Sequence, residues 1–413
     1  MPENSGLKAV RPCDFAASRR PVVKVMDEEK KTKIVKVHNK SSKPDNVVKK
    51  EHDIVAECAA LERELPGFLR GYFSYLRGNV LPMTRRAYLF DVRFFCHYLI
   101  TERPDITPAK EPKDIKLSDF ALIQAVDINM FIDFCRHYEK EGEKAIYVYE
   151  NGNKTLARKK SSVSVLFKQL YRDGLLEKNI TDGFDPIRVP KPGEREIKAL
   201  QDNEVMLMLD AVSTGMGLTG KEHDYWEKTK KRDKAILMLF ITYGLRISEL
   251  QQLNISSFNF NRGEFKIYRK RDKESVMPLN DSVTEVVLDY INNERPKDDQ
   301  IVEEHQDALF ISLQGKRMTE RSIRELSKKY TSIGMQVSRN AGYSPHKLRA
   351  TAATSLIGRG NSIFDVQQLL DHEQVTTTQL YAAHKMNTKR DLVRGMEWEK
   401  ERKEGQSSDD DDK

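Results

Sequence analysis

The stretch SPHKLRATAATSLIGRG, residues 344–360, has the features of a helix start followed by a run of small residues. Ser344 is a preferred N-cap residue, and Pro345 suits the first helical position. His346 and Arg349 are three residues apart, which places both side chains on one face near the positive end of the helix dipole. The stretch therefore predicts a phosphate-binding helix start. Taken alone, a histidine and an arginine at such a place are more often ordinary surface residues.

The composition of the 413-residue chain indicates two domains with real hydrophobic cores. Hydrophobic residues make up 38% of the chain, and charged residues make up 32%. The longest apolar run, AILMLFITYGL at 235–245, is much shorter than the ~20 residues that a membrane span needs. The four cysteines show no metal-ligand spacing and are interpreted as free thiols. We therefore expect a soluble cytoplasmic protein.

The net charge of +7 comes from the first fifty residues, which hold thirteen Lys and Arg against six Asp and Glu. The rest of the chain sums to about zero, so the overall charge does not by itself indicate nucleic-acid binding, which needs a local patch. We expect residues 1–55 to be a disordered basic extension, with a nucleic-acid-binding arm as the alternative. Residues 401–413 are expected to be an acidic tail.

Helical periodicity begins near Leu61 and continues to about residue 185. The stretch VDINMFIDFCRHYEKEGE, residues 126–143, continues the pattern, so we expect an all-helical domain over residues 56–185. One apolar stripe with helical spacing is interpreted as core: Tyr88, Val92, Phe95 and Leu99. Basic residues near helix starts could contact phosphates or form a solvated face: Arg85, Arg86, Arg158, Lys159 and Lys160.

A second unit follows a Pro-rich linker at 186–198 and is expected to span residues 199–400. Residues 231–253 are apolar nearly all round and predict a buried helix. Residues 256–280 alternate around an Asn-Arg-Gly turn and a charged tip, which predicts a small antiparallel sheet. The expected fold is therefore mainly α with a small antiparallel β-sheet.

Several side chains of the second unit could serve one chemistry. Arg246 lies in the otherwise apolar TYGLRISEL, where the structural alternative is an ion pair with Glu249. A lysine, Lys270 or Lys273, stands at the charged hairpin tip, where charged residues are usually just solvated. Each of these features alone has an ordinary structural explanation.

A further pair of candidates follows a short predicted helix. His372 ends this helix, and Tyr381 comes nine residues later. The helix has one apolar stripe: Ile363, Val366, Leu369 and Leu370. A tyrosine at position 381 would ordinarily belong to the core.

The order R…K…HxxR…H…Y within about 140 residues resembles the tyrosine recombinase (phage integrase) family. The matching segments are TYGLRISELQQL, HKLRATAATSL and LLDHEQVTTTQLY. The resemblance covers about residues 60–400, and the helical unit is particularly similar to Xer-type single recombinases of Gram-positive bacteria. It implies a helical SAM-like core-binding domain followed by a mixed α/β catalytic domain.

The resemblance also implies the roles of the site residues. Arg246 and Arg349 would clamp the non-bridging oxygens of a DNA phosphodiester. The two guanidinium groups would take the place of the metal ions that other phosphoryl-transfer enzymes use. Tyr381 would attack the phosphorus with His346 as general base, and Lys270 would protonate the leaving 5′-oxygen. His372 would hydrogen-bond the scissile phosphate. No metal or cofactor is expected.

The sequence departs from the family pattern at two places. LLDH stands where LLGH is commoner, which a helix end should tolerate. Arg269 and Arg271 flank Lys270 where the family often has glycines, which leaves Lys273 as an alternative hairpin lysine. Alignment on the lysine-glycine hairpin of the family favours Lys270.

The resemblance implies double-stranded DNA at a specific recombination site as the partner. It also implies a homotetramer in the synaptic complex and a monomer or weak oligomer without DNA, with residues 385–401 as a helix that docks on a neighbour. We expect a Xer-like role in chromosome dimer resolution; the alternative is an integrase of a mobile element. A DNA-binding protein without catalysis and a type IB topoisomerase fit the motifs less well.

Overall fold

The computed structural model describes four ranges of the chain: residues 43–142, 145–190, 198–269 and 273–371. The chain forms two compact units, of which the first ends at Val189 and the second begins at Pro190. The predicted domain bounds at 56–185 and 199–400 stay a prediction, because much of the linker and the last residues of the second domain lie outside the described residues.

The described part of the first unit consists of helices and one β-hairpin. The helices are α1 (Asp45–Arg63), α2 (Arg70–Asn79), α3 (Pro82–Glu102), α4 (Leu117–Leu122), α5 (Ala125–Phe134) and α6 (Asn153–Arg172). Short 3₁₀ turns lie at Gly67–Leu69, Pro112–Asp114 and Ile180–Gly183. Helix α3 packs on α1 and α6. Its predicted apolar stripe is confirmed, since Val92, Phe95 and Leu99 are fully buried in the core and Tyr88 packs against it.

The prediction of an all-helical first unit is wrong at residues 137–141 and 146–150. Helix α5 ends at Phe134, and strands β1 (His137–Glu141) and β2 (Ile146–Glu150) form an antiparallel hairpin. Tyr138 and Tyr149 are opposite each other, with stacked rings whose centroids are 5.0 Å apart. Aromatic and β-branched residues on facing strands stabilise such a hairpin, and this pairing is not visible in a helical periodicity.

The second unit combines helices with a three-stranded sheet. Its described helices are α7 (Asp202–Thr214), α8 (Gly220–Trp226), α9 (Lys230–Tyr243), α10 (Ile247–Gln251), α11 (Asp281–Asn293), α12 (Glu320–Gly334), α13 (Pro345–Gly358) and α14 (Ile363–Leu370). Short 3₁₀ turns lie at Ile255–Ser257, Asp298–Gln300, Glu303–His305 and Arg339–Ala341. Helix α9 lies against α11 and α13, and α7 lies against α12.

The predicted antiparallel sheet is confirmed. Its strands are β3 (Phe258–Asn259), β4 (Glu264–Tyr268) and β5 (Glu274–Pro278), in the order β3-β4-β5. Alternation along β4 buries Phe265 and Ile267 in the core of the unit. The fold is thus mainly helical with small antiparallel sheets. Within the described ranges, no helix combines the length and the apolar character that a membrane crossing requires.

The predicted continuous helix over residues 231–253 is interrupted. Helix α9 ends at Tyr243, and Gly244 follows in the left-handed conformation with φ 58°. A Cβ at Gly244 would stand 2.5 Å from Cδ2 of Leu370, so both the backbone conformation and the close approach favour glycine. Arg246 therefore lies outside a helix interior, as the N-cap residue of α10.

Candidate active site

The C-terminal end of α14 organises the candidate site. Asp371 follows the helix in the left-handed conformation, with φ 52° and ψ 54°. The last turn of a helix leaves carbonyl groups without partners inside the helix, and the dipole makes this end negative. The end of α14 is therefore suited to bind cationic side chains.

Three arginines bind this helix end. The carbonyls of three consecutive residues accept hydrogen bonds from them: Leu369 from Arg269 (2.8 Å), Leu370 from Arg349, and Asp371 from Arg246 (3.2 Å). The arginines come from the end of β4, from α13 and from the start of α10. Residues far apart in the sequence thus meet at the C-terminal main-chain carbonyls of one short helix.

Arg246 is fixed by its position before α10. Its backbone N–H donates to Oε2 of Glu249 (2.8 Å), and its Nη1 donates to Oε1 of the same carboxylate (2.6 Å). The ion pair that the sequence offered as an alternative is therefore present. The Arg246 side chain is nevertheless 27% exposed, and a guanidinium has five N–H donors, so donors remain for a further acceptor.

Arg349 is held between two main-chain carbonyls. Its Nη1 donates to the carbonyl of Gly244 (2.6 Å), and its Nη2 donates to that of Leu370. The residue is only 4% exposed. The left-handed turn at Gly244 thus supplies both an acceptor for the guanidinium and the space that α14 occupies.

His346 and Arg349 differ in exposure although both lie near the start of α13. The helix begins as predicted, with Ser344 as the N-cap residue and Pro345 at the first position, but the Ser344 side chain forms no capping hydrogen bond. His346 is exposed. The buried guanidinium of Arg349 is bound to carbonyls of other elements, which the three-residue spacing could not reveal.

The hairpin β4–β5 contributes a second group of charges. Nζ of Lys273 lies 2.5 Å from Oδ1 of Asp371, and Nη1 of Arg269 lies 3.9 Å from Oδ2 of Asp371. The hydrogen bond from Lys273, together with the nearby Arg269, lowers the pKa of Asp371 against the opposing effect of its partial burial. The sequence marks Arg269 and Asp371 as separate departures from glycine, but it gives no sign that they are partners.

The remaining candidates cannot be placed. Lys270, His372 and Tyr381 lie outside the described residues, as does the predicted docking helix at 385–401. The structure therefore brings together Arg246 and Arg349 and places His346 near the start of α13. The catalytic roles of all six residues stay predictions.

The basic residues of the first unit have internal partners. Arg85 lies 2.5 Å from Glu62, and both are buried, which excludes a solvated role for Arg85. Lys159 is likewise buried and lies 3.4 Å from Asp91. The other three basic residues bind partners as follows: Arg86 binds Glu57 (2.7 Å), Arg158 binds Asp91, and Lys160 binds the carbonyl of Asp185 (2.5 Å).

Comparison of the sequence with known proteins identifies a family. The phage integrase family matches residues 198–388. Tyrosine recombinase XerC of Pelotomaculum thermopropionicum is 28% identical over 316 residues, which cover 75% of this chain and 91% of that protein. Tyrosine recombinase XerC of Natranaerobius thermophilus is 34% identical over 231 residues, which cover 55% of this chain and 71% of that protein.

A solved structure shares the fold. The XerH site-specific recombinase, in a post-cleavage complex bound to a palindromic difH substrate, matches with a TM-score of 0.56 and 18% sequence identity. The match covers 85% of this chain and 90% of that one. The level of identity to the XerC proteins, the share of their length that is matched and the common fold lead to one conclusion: the chain belongs to the phage integrase family of tyrosine recombinases.

Proposed function

We propose that this tyrosine recombinase cuts and rejoins duplex DNA at a specific site, through a 3′-phosphotyrosyl intermediate. One observation supports the proposal most. Arg246 and Arg349, from separate elements, donate to adjacent carbonyls at the end of α14. The residues that follow this point in the chain include His372 and Tyr381.

The two arginines have the right chemistry for a phosphoryl transition state. Its non-bridging oxygens gain negative charge, and guanidinium groups can donate to them as planar forks. The carbonyls that hold Arg349 fix the direction of its guanidinium without adding a negative charge. Preorganised cations lower the barrier because they need no rearrangement when the charge develops.

The proton and electron movements assign the other four roles. The phenolic oxygen of Tyr381 forms a bond to phosphorus while the bond to the 5′-oxygen breaks. His346 accepts the phenolic proton, and Lys270 gives a proton to the departing 5′-oxygen. His372 donates a hydrogen bond to the scissile phosphate. The reverse reaction joins the strand to a new 5′-hydroxyl, and no external energy source is needed because the phosphodiester is conserved.

The proposed assembly has four protomers. Strand exchange between two duplexes needs four such sites, so we propose a homotetramer in the synaptic complex and a monomer or weak oligomer without DNA. The amphipathic segment 385–401 is proposed to dock on a neighbouring protomer.

A Xer-like role in chromosome dimer resolution is favoured over the integration of a mobile element. The two relatives described above, which match over 91% and 71% of their length, are XerC proteins. The basic first fifty residues are the one feature that favours an integrase, since such enzymes often carry an additional arm-binding module.

The proposal is tested by isolation of the covalent adduct. The purified chain is incubated with sheared genomic DNA of the organism that encodes it, adducts are precipitated in detergent, and the attached DNA is sequenced. We expect one short sequence to be enriched by the wild-type chain and none by Tyr381→Phe. A single chromosomal site would support the Xer-like role, and the ends of a mobile element would support the alternative. Adducts formed equally by Tyr381→Phe would overturn the assigned nucleophile.

A further inference from the structure

Two departures from the family pattern meet in the structure. Asp371 stands in LLDH where glycine is commoner, and Arg269 precedes the hairpin lysine where glycine is also common. Nη1 of Arg269 and Oδ2 of Asp371 are 3.9 Å apart, although the two residues are far apart in the sequence. Two glycines could not form this contact.

The Arg269 guanidinium is buried and only partly hydrogen-bonded. The residue is 8% exposed, and its Nη2 donates to the carbonyl of Leu369 (2.8 Å). Its Nε and Nη1 have no hydrogen-bond partner among the described residues. Burial lowers the pKa of Arg269, and the nearby Glu249 and Asp371 oppose this effect. The Asp371 carboxylate therefore compensates a buried charge that would otherwise be costly.

We propose that Arg269 and Asp371 are a positioning pair, which holds the hairpin β4–β5 against the end of α14. The pair thereby fixes the carbonyls of Leu370 and Asp371, to which Arg349 and Arg246 donate. Opposite charges hold this contact between hairpin and helix end, with Lys273 as a second cation 2.5 Å from Asp371. The inference rests on the proposed function, because what it positions is the arginine pair of the reaction.

The left-handed backbone at Asp371 allows charge and conformation to be tested separately. Asn and Gly both adopt a positive φ readily, whereas Ala does so only with strain. Asp371→Asn and Asp371→Gly therefore remove the charge and retain the backbone. Asp365→Asn is the matched control, because Asp365 is an exposed carboxylate on the same helix, α14.

Two measurements test the pair. Hydrogen–deuterium exchange of peptides covering β4 and α14 in the DNA-free protein reports whether the hairpin β4–β5 stays packed against the end of α14. Single-turnover cleavage of a nicked duplex carrying the site recovered by adduct sequencing reports the reaction. We expect Asp371→Asn and Asp371→Gly to speed exchange in both peptides and to slow cleavage at least ~10-fold, with DNA affinity within about threefold of wild type, because small displacements of catalytic groups are costly. Asp365→Asn is expected to match wild type.

The double variant Arg269→Gly/Asp371→Gly, which has the family's residues at both positions, gives the decisive result. We expect it to cleave faster than Asp371→Gly alone, because it removes the uncompensated buried cation together with its partner. The proposal would be overturned if Asp371→Asn exchanged hydrogen for deuterium at the wild-type rate. It would also be overturned if the double variant cleaved as slowly as Asp371→Gly. Slow cleavage in Asp371→Ala alone would overturn it as well, since that assigns the effect to the backbone. Absence of adducts with the wild-type chain would reject the proposed function instead. The exchange measurement would still decide whether the pair holds the hairpin β4–β5 against the end of α14.

Discussion

Buried arginines in the two units have different hydrogen-bond acceptors. In the first unit, Arg85 lies against the carboxylate of Glu62 at 2.5 Å. In the second, Arg349 is equally buried but donates to the main-chain carbonyls of Gly244 and Leu370. A carboxylate cancels the charge of a guanidinium, whereas a carbonyl only orients it. Between these two buried arginines, the acceptor therefore distinguishes one that stabilises the fold from one that is prepared to bind an anion. Arg246, whose side chain is 27% exposed, has both kinds of acceptor, the carboxylate of Glu249 and the carbonyl of Asp371.

The largest effect is expected at the proposed nucleophile. Tyr381→Phe removes the oxygen that forms the phosphotyrosyl bond, so covalent complexes on nicked duplexes should disappear while gel-shift affinity stays close to wild type. Gel electrophoresis under denaturing conditions detects the complexes. If the Phe variant still became attached to DNA, a residue other than Tyr381 would be the nucleophile that attacks the phosphate bound by Arg246 and Arg349.

On the structural side of the comparison, Arg85→Met should reduce the free energy of unfolding by about 3 kcal/mol. This is the lower end of the range for breaking a buried ion pair, because the carboxylate of Glu62 keeps Arg77 as a partner. The matched control is Arg86→Met. Arg86 forms a partly exposed pair with Glu57, and such pairs contribute about 0–1 kcal/mol. Urea unfolding measures both variants.

The same Arg85→Met variant also tests whether Arg85 contributes to the reaction. We expect its folded fraction to cleave nicked DNA at the wild-type rate. A large loss of cleavage in a stable Arg85→Met protein would show that a buried arginine held by a carboxylate, without a carbonyl of α14, also serves the reaction, and the comparison between Arg85 and Arg349 would fail.

On the catalytic side, Arg246→Lys and Arg349→Lys keep the charge but lose the planar fork. We expect cleavage to fall at least ~100-fold, about 2.7 kcal/mol, the usual scale for the loss of one such donor. Site affinity should change much less, and the urea midpoint should be close to that of wild type for Arg246→Lys. Equal losses in cleavage and affinity would show that these arginines only anchor the DNA.

Much of the local structure was predictable from short stretches of sequence. The Ser344–Pro345 start of α13 and the alternation of β4 depend on neighbouring residues, and both are confirmed. The β1–β2 hairpin was not predicted, because the residues after Phe134 retain a helical spacing and the stacking of Tyr138 on Tyr149 is a contact between strands.

The candidate site was predictable as a set of residue types but not as an arrangement. The motifs identified Arg246 and Arg349, yet their acceptors are carbonyls of α14, and main-chain groups leave no trace in a motif. Gly244 was the one local signal for the break between α9 and α10. The contact between Arg269 and Asp371 depends on the packing of a hairpin on a distant helix, so each appeared only as a separate departure from glycine.

The smallest change in cleavage rate is expected on substitution of Lys273. The comparison between carboxylate-bound and carbonyl-bound cations can be made here within the site itself. The Lys273 ammonium lies 2.5 Å from the Asp371 carboxylate and its side chain is 62% exposed, so it belongs with the carboxylate-paired cations. Lys273→Ala should therefore slow cleavage less than ~10-fold, through the loosened Asp371 and not through loss of a proton donor. Lys270→Ala should slow it further, by the 10²–10⁴-fold typical of general acid catalysis.

A duplex with a bridging 5′-phosphorothiolate separates the two effects, because a sulfur leaving group scarcely needs protonation. Sulfur should restore cleavage by Lys270→Ala and leave the small deficit of Lys273→Ala unchanged; restoration confined to Lys273→Ala would make that lysine the general acid and would show that a carboxylate partner does not mark a structural cation here.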